Sequence, residues 1–460
     1  MRWTLLVACF TAFACGRGAG SLDGSGGGRG DLITGSGGGV AAASGGGAPD
    51  CAGCRSYHPE TDGFVVHEWG TLTSVMTSTG QLVQGLHHEE EDLPGFVADR
   101  IAAAKVTPGA VQKMETPVTY FYSPTARDVQ VKVGFPNGLF TQWFPYVQRF
   151  EPFLYGGPTA PEDPWTMANV SMPAECASRY VEQKGGVLDW GTVKVLAPQA
   201  QPALASPIGP GTWGFSREVA SNTLEVAPPQ GGLAQHERFL FYRGLGNFAL
   251  PLVVTEASGT PTLRNPPTSE PLRGILTMNV TASGGSFSLH KDLPPGEAEL
   301  FTFDAAPLPM DRFVAELSNQ LEALLVADGL YTDEAKAMVH TWQRSYFRTP
   351  GRRVLYLLPA AQIDATIPLT ITPAPAKVKR TMVIRVEALS SAEEQQVAGW
   401  AKELASSPAV AKAKIFGLGR FAEPKLRAAL PLLTGADAAN AQALIAELSA
   451  QHRWAPIAAE

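Results

Sequence analysis

From Phe64 onward the chain alternates short apolar runs with breaks rich in glycine and proline, the pattern of a strand-rich body. Phe64-Val65-Val66 predicts a buried strand, and Val118 to Tyr122, β-branched and aromatic, predicts a second. Val129, Val131 and Val133 alternate with Gln130 and Lys132, giving a half-buried strand that stops at Pro136-Asn137-Gly138. Val193 and Val195 around Lys194 predict another. Residues 238–243 and 248–255 predict a hairpin through Gly244-Leu245-Gly246, and 272–281 and 286–290 a second through Ser283-Gly284-Gly285. Glu297 to Phe303 closes the series.

After residue 305 the period changes. Pro309 and Asp311 open a helix in which Phe313, Leu317, Leu321 and Leu324 recur at helical spacing until Gly329. Thr332 is placed to cap a second, with Met338, Trp342 and Tyr346 on one face. Val354 to Leu358 and residues 380–388 predict strands. Ser390 and Glu393 form a capping box ahead of a helix burying Val397, Trp400 and Leu404. Two more helices fall near 424–431 and 437–450. The expected class is mainly β with an α+β C-terminal part: antiparallel β-sandwich regions, then a mixed helix and strand region. The expected boundaries are a β-sandwich-like domain over 56–200, a second β-rich domain over 201–305, and an α+β and helical region over 306–460. Nothing repeats at a fixed period, which excludes a solenoid.

The first residues change the picture from fold to address. Arg2 precedes a short apolar stretch of Leu5, Leu6, Val7, Ala8, Phe10 and Ala12, and Ala14 stands before Cys15, the layout of a secretory signal. Ala12-Phe13-Ala14-Cys15 resembles the bacterial lipobox, whose cysteine is lipidated, so residues 1–15 are expected to be a lipoprotein signal. Phe13 is bulky for its place; Leu6-Val7-Ala8-Cys9 fits by residue type but leaves almost no apolar stretch, and a plain signal cut after Ala14 is the other reading. Residues 16–55, mostly Gly, Ser and Ala at first, cannot bury a core and read as a disordered tether. The expected location is therefore the periplasm or cell surface, on the outer membrane, through a lipid anchor at Cys15. In that oxidising setting Cys51 and Cys54 are candidates for a disulfide, with Cys176 as the alternative partner of either. The net charge of -7 argues against nucleic acid as a partner. Hydrophobic residues at 45% allow sizeable cores, and no apolar run reaches the roughly 18 residues of a membrane span.

Three clusters carry candidate chemistry. His67 and Glu68 sit in Val66-His67-Glu68-Trp69-Gly70-Thr71; on a strand they face opposite sides, one toward the core and one toward solvent unless the chain bends. Leu86-His87-His88-Glu89-Glu90-Glu91-Asp92 offers imidazoles and carboxylates suited to a divalent transition metal such as Zn, or else is an exposed acidic loop. Lys113 and Glu115 alternate onto one strand face, as an ion pair or as acid/base groups. Arg243 lies in an apolar run and needs a carboxylate, with Glu68 and Glu115 as candidates. A metal would join His67 with His87 or His88, and Glu68 or Glu115 would serve as ligand or general base toward bound water. Three of the eight histidines fall within residues 67–92. The sequence has no His-Glu-x-x-His, no phosphate-binding glycine loop after a strand and no Gly-x-Ser-x-Gly elbow.

Several of these strings resemble a family of uncharacterised exported bacterial proteins: His67-Glu68-Trp69-Gly70-Thr71, Lys113-Met114-Glu115-Thr116-Pro117 with Tyr120-Phe121-Tyr122, and Phe241-Tyr242-Arg243-Gly244. Arg353-Val354-Leu355-Tyr356-Leu357-Leu358-Pro359 is similar in kind, so the resemblance spans roughly residues 60–390. It implies export and no particular reaction. Two functions stand: a metal-dependent hydrolase with a His/Glu site, and a non-catalytic binding or scaffold module of the cell envelope. The partner would be a small molecule, a polysaccharide or a protein.

Overall fold

The computed structural model of the chain describes residues 63–99, 109–152, 184–208, 211, 213–229, 231–301, 303 and 306–450. The segments expected to be signal and tether, with Cys15, Cys51, Cys54 and Cys176, lie outside the described residues. Tyr57–Glu460 form one compact unit. It is strand-rich and built on large sheets, with its main helices in the C-terminal part.

Five long strands make the centre of a ten-stranded sheet: β1 (Val65–Met76), β2 (Gln112–Tyr122), β3 (Phe239–Gly246), β4 (Gly351–Leu357) and β5 (Lys377–Ala388), ordered β4-β5-β1-β2-β3. The sheet takes strands from 56–200, from 201–305 and from 306–460. All its pairs are antiparallel except β1 with β5, which makes it mixed. A six-stranded and a three-stranded sheet complete the β structure among the described residues. Val129, Val131 and Val133 lie on Arg127–Phe135 of the six-stranded sheet, and the alternation of exposed and buried positions there is as expected.

β1 is buried at every position, because layers cover both sheet faces. Val66, Leu72 and Met76 enter one core with Phe121, Val131, Trp190 and Ile384. Val65 and Trp69 enter a second with Tyr120, Phe313, Leu317, Met338 and Trp342, supplied by helices α1 (Met310–Asp328) and α2 (Thr332–Trp342). Neither His67 nor Glu68 therefore reaches solvent. α1 ends as expected on Gly329, in the left-handed conformation. Tyr331, rather than Thr332, is the cap residue of α2.

Gly244-Leu245-Gly246 is not a turn. β3 runs through it, pairing with β2 and with Gly138–Phe144, and Val253–Ala257 belongs to the three-stranded sheet. A Cβ on Gly244 would stand 2.4 Å from the Leu139 carbonyl oxygen, so the glycine serves close strand approach.

The C-terminal helices α3 (Ser391–Lys402), α4 (Ala422–Ala429) and α5 (Gly435–Ser449) share a small core of Val397, Ala401, Leu426, Leu444 and Leu448, joined by Ile415 of the helix Pro408–Phe416. The Ser390–Glu393 capping box opens α3 as the sequence predicts. Phe421 and Ala428 pack with Val75, Val83 and Leu86, which joins these helices to the end of β1. Among the described residues no helix is long and apolar enough to cross a membrane.

Candidate functional site

A row of charged side chains crosses the central strands under the helices. In register, Arg353 of β4 lies opposite Glu387 of β5, Arg385 opposite Thr73 of β1, and Thr73 opposite Lys113 of β2. All of these are buried. Buried charge is tolerable only when paired. Glu387 Oε1 accepts Arg385 Nε at 2.7 Å and lies 3.0 Å from Arg353 Nε. The Arg385 guanidinium also stacks 4.1 Å over Tyr346 and 5.2 Å over Phe421.

The row ends in a small cleft of about 50 Å³ between β2, β3, the end of α2 and the loop after His88. Its walls include Glu89, Glu90, Lys113, Glu115, Arg243 and Arg420, with Trp342 and Tyr346 beside them. Glu89 Oε2 lies 2.9 Å from Lys113 Nζ and accepts Arg243 Nη1 at 3.1 Å. Arg420 Nε is 3.1 Å from Glu90 Oε2. Glu115 accepts Arg420 Nη1, the Tyr346 hydroxyl and, at 3.0 Å, the Thr73 hydroxyl. Burial, with Arg420 and Arg243 nearby, brings the Lys113 ammonium down to about 8, against the pull of Glu89. Burial works to raise the Glu89 carboxyl, but Lys113 and Arg243 hold it below the ordinary value.

On the far side of the same loop, His87, His88 and Glu423 of α4 bring one donor atom each to within 4.8 Å of one another, all buried. Lys113 Nζ donates to the His88 carbonyl and so ties this group to the cleft wall. Burial, then the neighbouring His88 and Lys113, lower His87 to about 4, so its ring is neutral at pH 7. Glu423 is held below the ordinary carboxylate value against burial, chiefly by His88, His87 and Ser449. Neutral imidazole and carboxylate are the donors that a zinc-class ion takes.

The predicted residues thus divide. His87 and His88 come together, with Glu423 as their carboxylate; His67 is outside that group. His67 Nδ1 meets Glu334 Oε2 of α2 at 2.8 Å, its ring stacks on Tyr331, and Tyr122 donates to the same carboxylate. Glu68, on the opposite face of β1, is paired with Arg380 Nη2 at 2.6 Å and accepts Tyr242 and Thr119. Glu115 and Lys113 share the cleft, bound to different partners rather than to each other. Arg243 pairs with Glu89, not with Glu68 or Glu115. Residues 86–92 are an exposed acidic loop only at their end: Leu86, His87, His88 and Glu89 are buried, Glu90 and Glu91 are partly buried, and Asp92 is exposed.

Arg420, Glu423, Tyr346 and the Arg385–Glu387 pair were not expected. A signal existed for the last: Arg385-Val386-Glu387 interrupts an apolar strand with the same alternation as Lys113-Met114-Glu115. Nothing local marks Arg420 and Glu423, which read in sequence as polar positions of an ordinary amphipathic helical stretch but are buried in the fold.

No family model and no curated protein matches the chain. Among solved structures, a yeast delta-COP-I mu-homology domain complexed with a Dsl1 WxWxV peptide is similar at 7% identity and a TM-score of 0.24, covering 72% of this chain and 99% of that one. A likeness at that level supports no argument about fold or function.

Proposed function

We propose that this chain is an exported lipoprotein, acylated at Cys15 and held off the membrane by residues 16–55, whose body is a non-catalytic binding module of the cell envelope. The observation that carries the reading is the state of the cleft. Its cations are matched to carboxylates in the free protein, Lys113 and Arg243 to Glu89 and Arg420 to Glu90 and Glu115. Pre-arranged polar groups of both signs in a cleft of about 50 Å³ suit one small polar or charged group of a ligand. The carboxylates that a hydrolase would need as its base are committed elsewhere: Glu115 accepts three donors, and Glu68 neutralises Arg380 on the other face of the sheet.

Calorimetry of the detergent-solubilised full chain with soluble peptidoglycan fragments tests the binding. Saturable heat that disappears in Arg243→Ala is expected; no heat with any fragment counts against the module. Mass spectrometry tests the tether: a diacylated mature terminus at Cys15 is expected, and Cys15→Ala should release the protein to the soluble fraction. An unmodified terminus elsewhere would sink it.

The second reading is the metal-dependent hydrolase, favoured by His87 and His88, which meet Glu423 of α4 and lie on the same loop that supplies Glu89 and Glu90 to the cleft. It requires zinc-stimulated cleavage of a bound fragment that His88→Ala abolishes while binding persists.

A further inference from the structure

We propose that His87, His88 and Glu423 bind one divalent transition-metal ion, of the zinc class, and that this ion fastens the C-terminal helices to the sheet. The inference is independent of what the cleft binds.

Orientation of the donors is the first argument. His87 Nε2 faces the Ser449 carbonyl at 3.3 Å, and a carbonyl can only accept, so Nε2 carries the proton. That leaves a lone pair on Nδ1, which is buried and makes no hydrogen bond. A histidine whose other ring nitrogen donates to a backbone carbonyl is the usual arrangement of a metal ligand. Glu423 is oriented in the same way. Its Oε1 accepts Ser449 Oγ at 2.7 Å and Arg427 Nε at 2.8 Å, which turns Oε2 toward the imidazoles. Oε2 stands 3.3 Å from His88 Nε2 and 3.9 Å from His87 Nδ1. Ligands about 2.1 Å from a tetrahedral ion are about 3.4 Å apart, so these spacings fit one ion with little movement.

The backbone makes room for this group. Gly85 has φ +108°, a conformation that suits glycine, and a Cβ there would stand 2.8 Å from Glu423 Cγ. The glycine gives the carboxylate its seat two residues before His87.

The surroundings point to a structural ion. The three side chains are at most 3% exposed, and none of them lines the cleft. Two donors come from the loop after β1 and the third from α4, with Ser449 of α5 supporting both sides. Closed sites of this kind contribute folding energy.

The test uses the full chain in detergent, stripped with a chelator and titrated with Co(II) and Zn(II). One ion per chain is expected, with the visible bands of tetrahedral Co(II) and no thiolate charge-transfer band. Zinc should raise the melting temperature of the stripped protein by about 5 °C. Loss of a supporting residue costs about 10–100-fold in affinity, so His87→Ala and Glu423→Gln should each cost at least about 100-fold. The Cys51→Ser/Cys54→Ser double variant should keep the bands. Folded wild-type protein without them, or bands carrying thiolate character, would overturn the site. So would unchanged affinity in Glu423→Gln, a near-isosteric change that keeps the test open if His87→Ala fails to fold.

Discussion

At position 85 a single methyl group is enough to disturb the His/Glu group. Gly85→Ala combines a strained φ with a Cβ 2.8 Å from Glu423 Cγ. A destabilisation of about 1–3 kcal/mol is expected from denaturant titration, with metal affinity falling alongside. Glu387 is the more consequential single residue. Glu387→Gln leaves Arg353 and Arg385 buried without their shared counter-charge, and a loss of about 3–5 kcal/mol should appear in the same measurement. A loss below about 1 kcal/mol would mean that Tyr346 and Phe421 stacking alone carries Arg385. The sequence shows that His67, Glu68, Lys113, Glu115 and Arg243 are charges or imidazoles placed in apolar strands, and so must be partnered. It does not show by whom. Their partners Glu334, Arg380, Arg420 and Glu89 come from distant segments, and spacing along the chain carries no trace of such pairings.

Elements were more legible where their signals are local. The Ser390–Glu393 box, the Gly329 stop and the Val129–Val133 alternation are each written within a few residues, and each forms as read. Ser390→Ala removes the hydroxyl that accepts the Glu393 N–H, and should cost about 1 kcal/mol by thermal melting. Glycine misled the reading at Gly244 and Gly246, because a glycine that breaks a strand and one that lets two strands approach look the same in sequence. Gly244→Ala distinguishes the two roles. A turn position would tolerate the methyl group, whereas the contact with the Leu139 carbonyl predicts a marked fall in melting temperature. In the strand Val65–Met76 the alternation at His67 and Glu68 suggests that one of the two faces solvent, but both sheet faces are covered, so polarity there reports pairing.

Across the molecule, stability leans on carboxylates buried against cations. The carboxyls of Glu89, Glu387 and Glu423 are all lowered below 4.5 in the folded state. A depressed carboxyl stabilises the fold above its unfolded value and loses that contribution as pH falls through its folded value. Melting temperature should therefore hold near neutrality and drop steeply below about pH 4.5. A flat profile down to pH 3 would contradict the network. The general composition, strand-rich in front and helical behind, was visible from the residue pattern. The joining of all three stretches into one sheet was not, since long-range register leaves no periodic mark.

That joining sets the order in which the molecule can assemble. Glu68 on β1 meets Arg380 on β5 at a separation of 312 residues, and among the described residues β5 is the only strand that pairs with β1 in parallel. Until the ribosome has delivered almost the whole chain, the central strand lacks one edge and Glu68 lacks its counter-ion. Closing so long a loop is slow. Late closure of the central sheet is thus built into its strand order, since both β4 and β5 come from the last quarter of the chain.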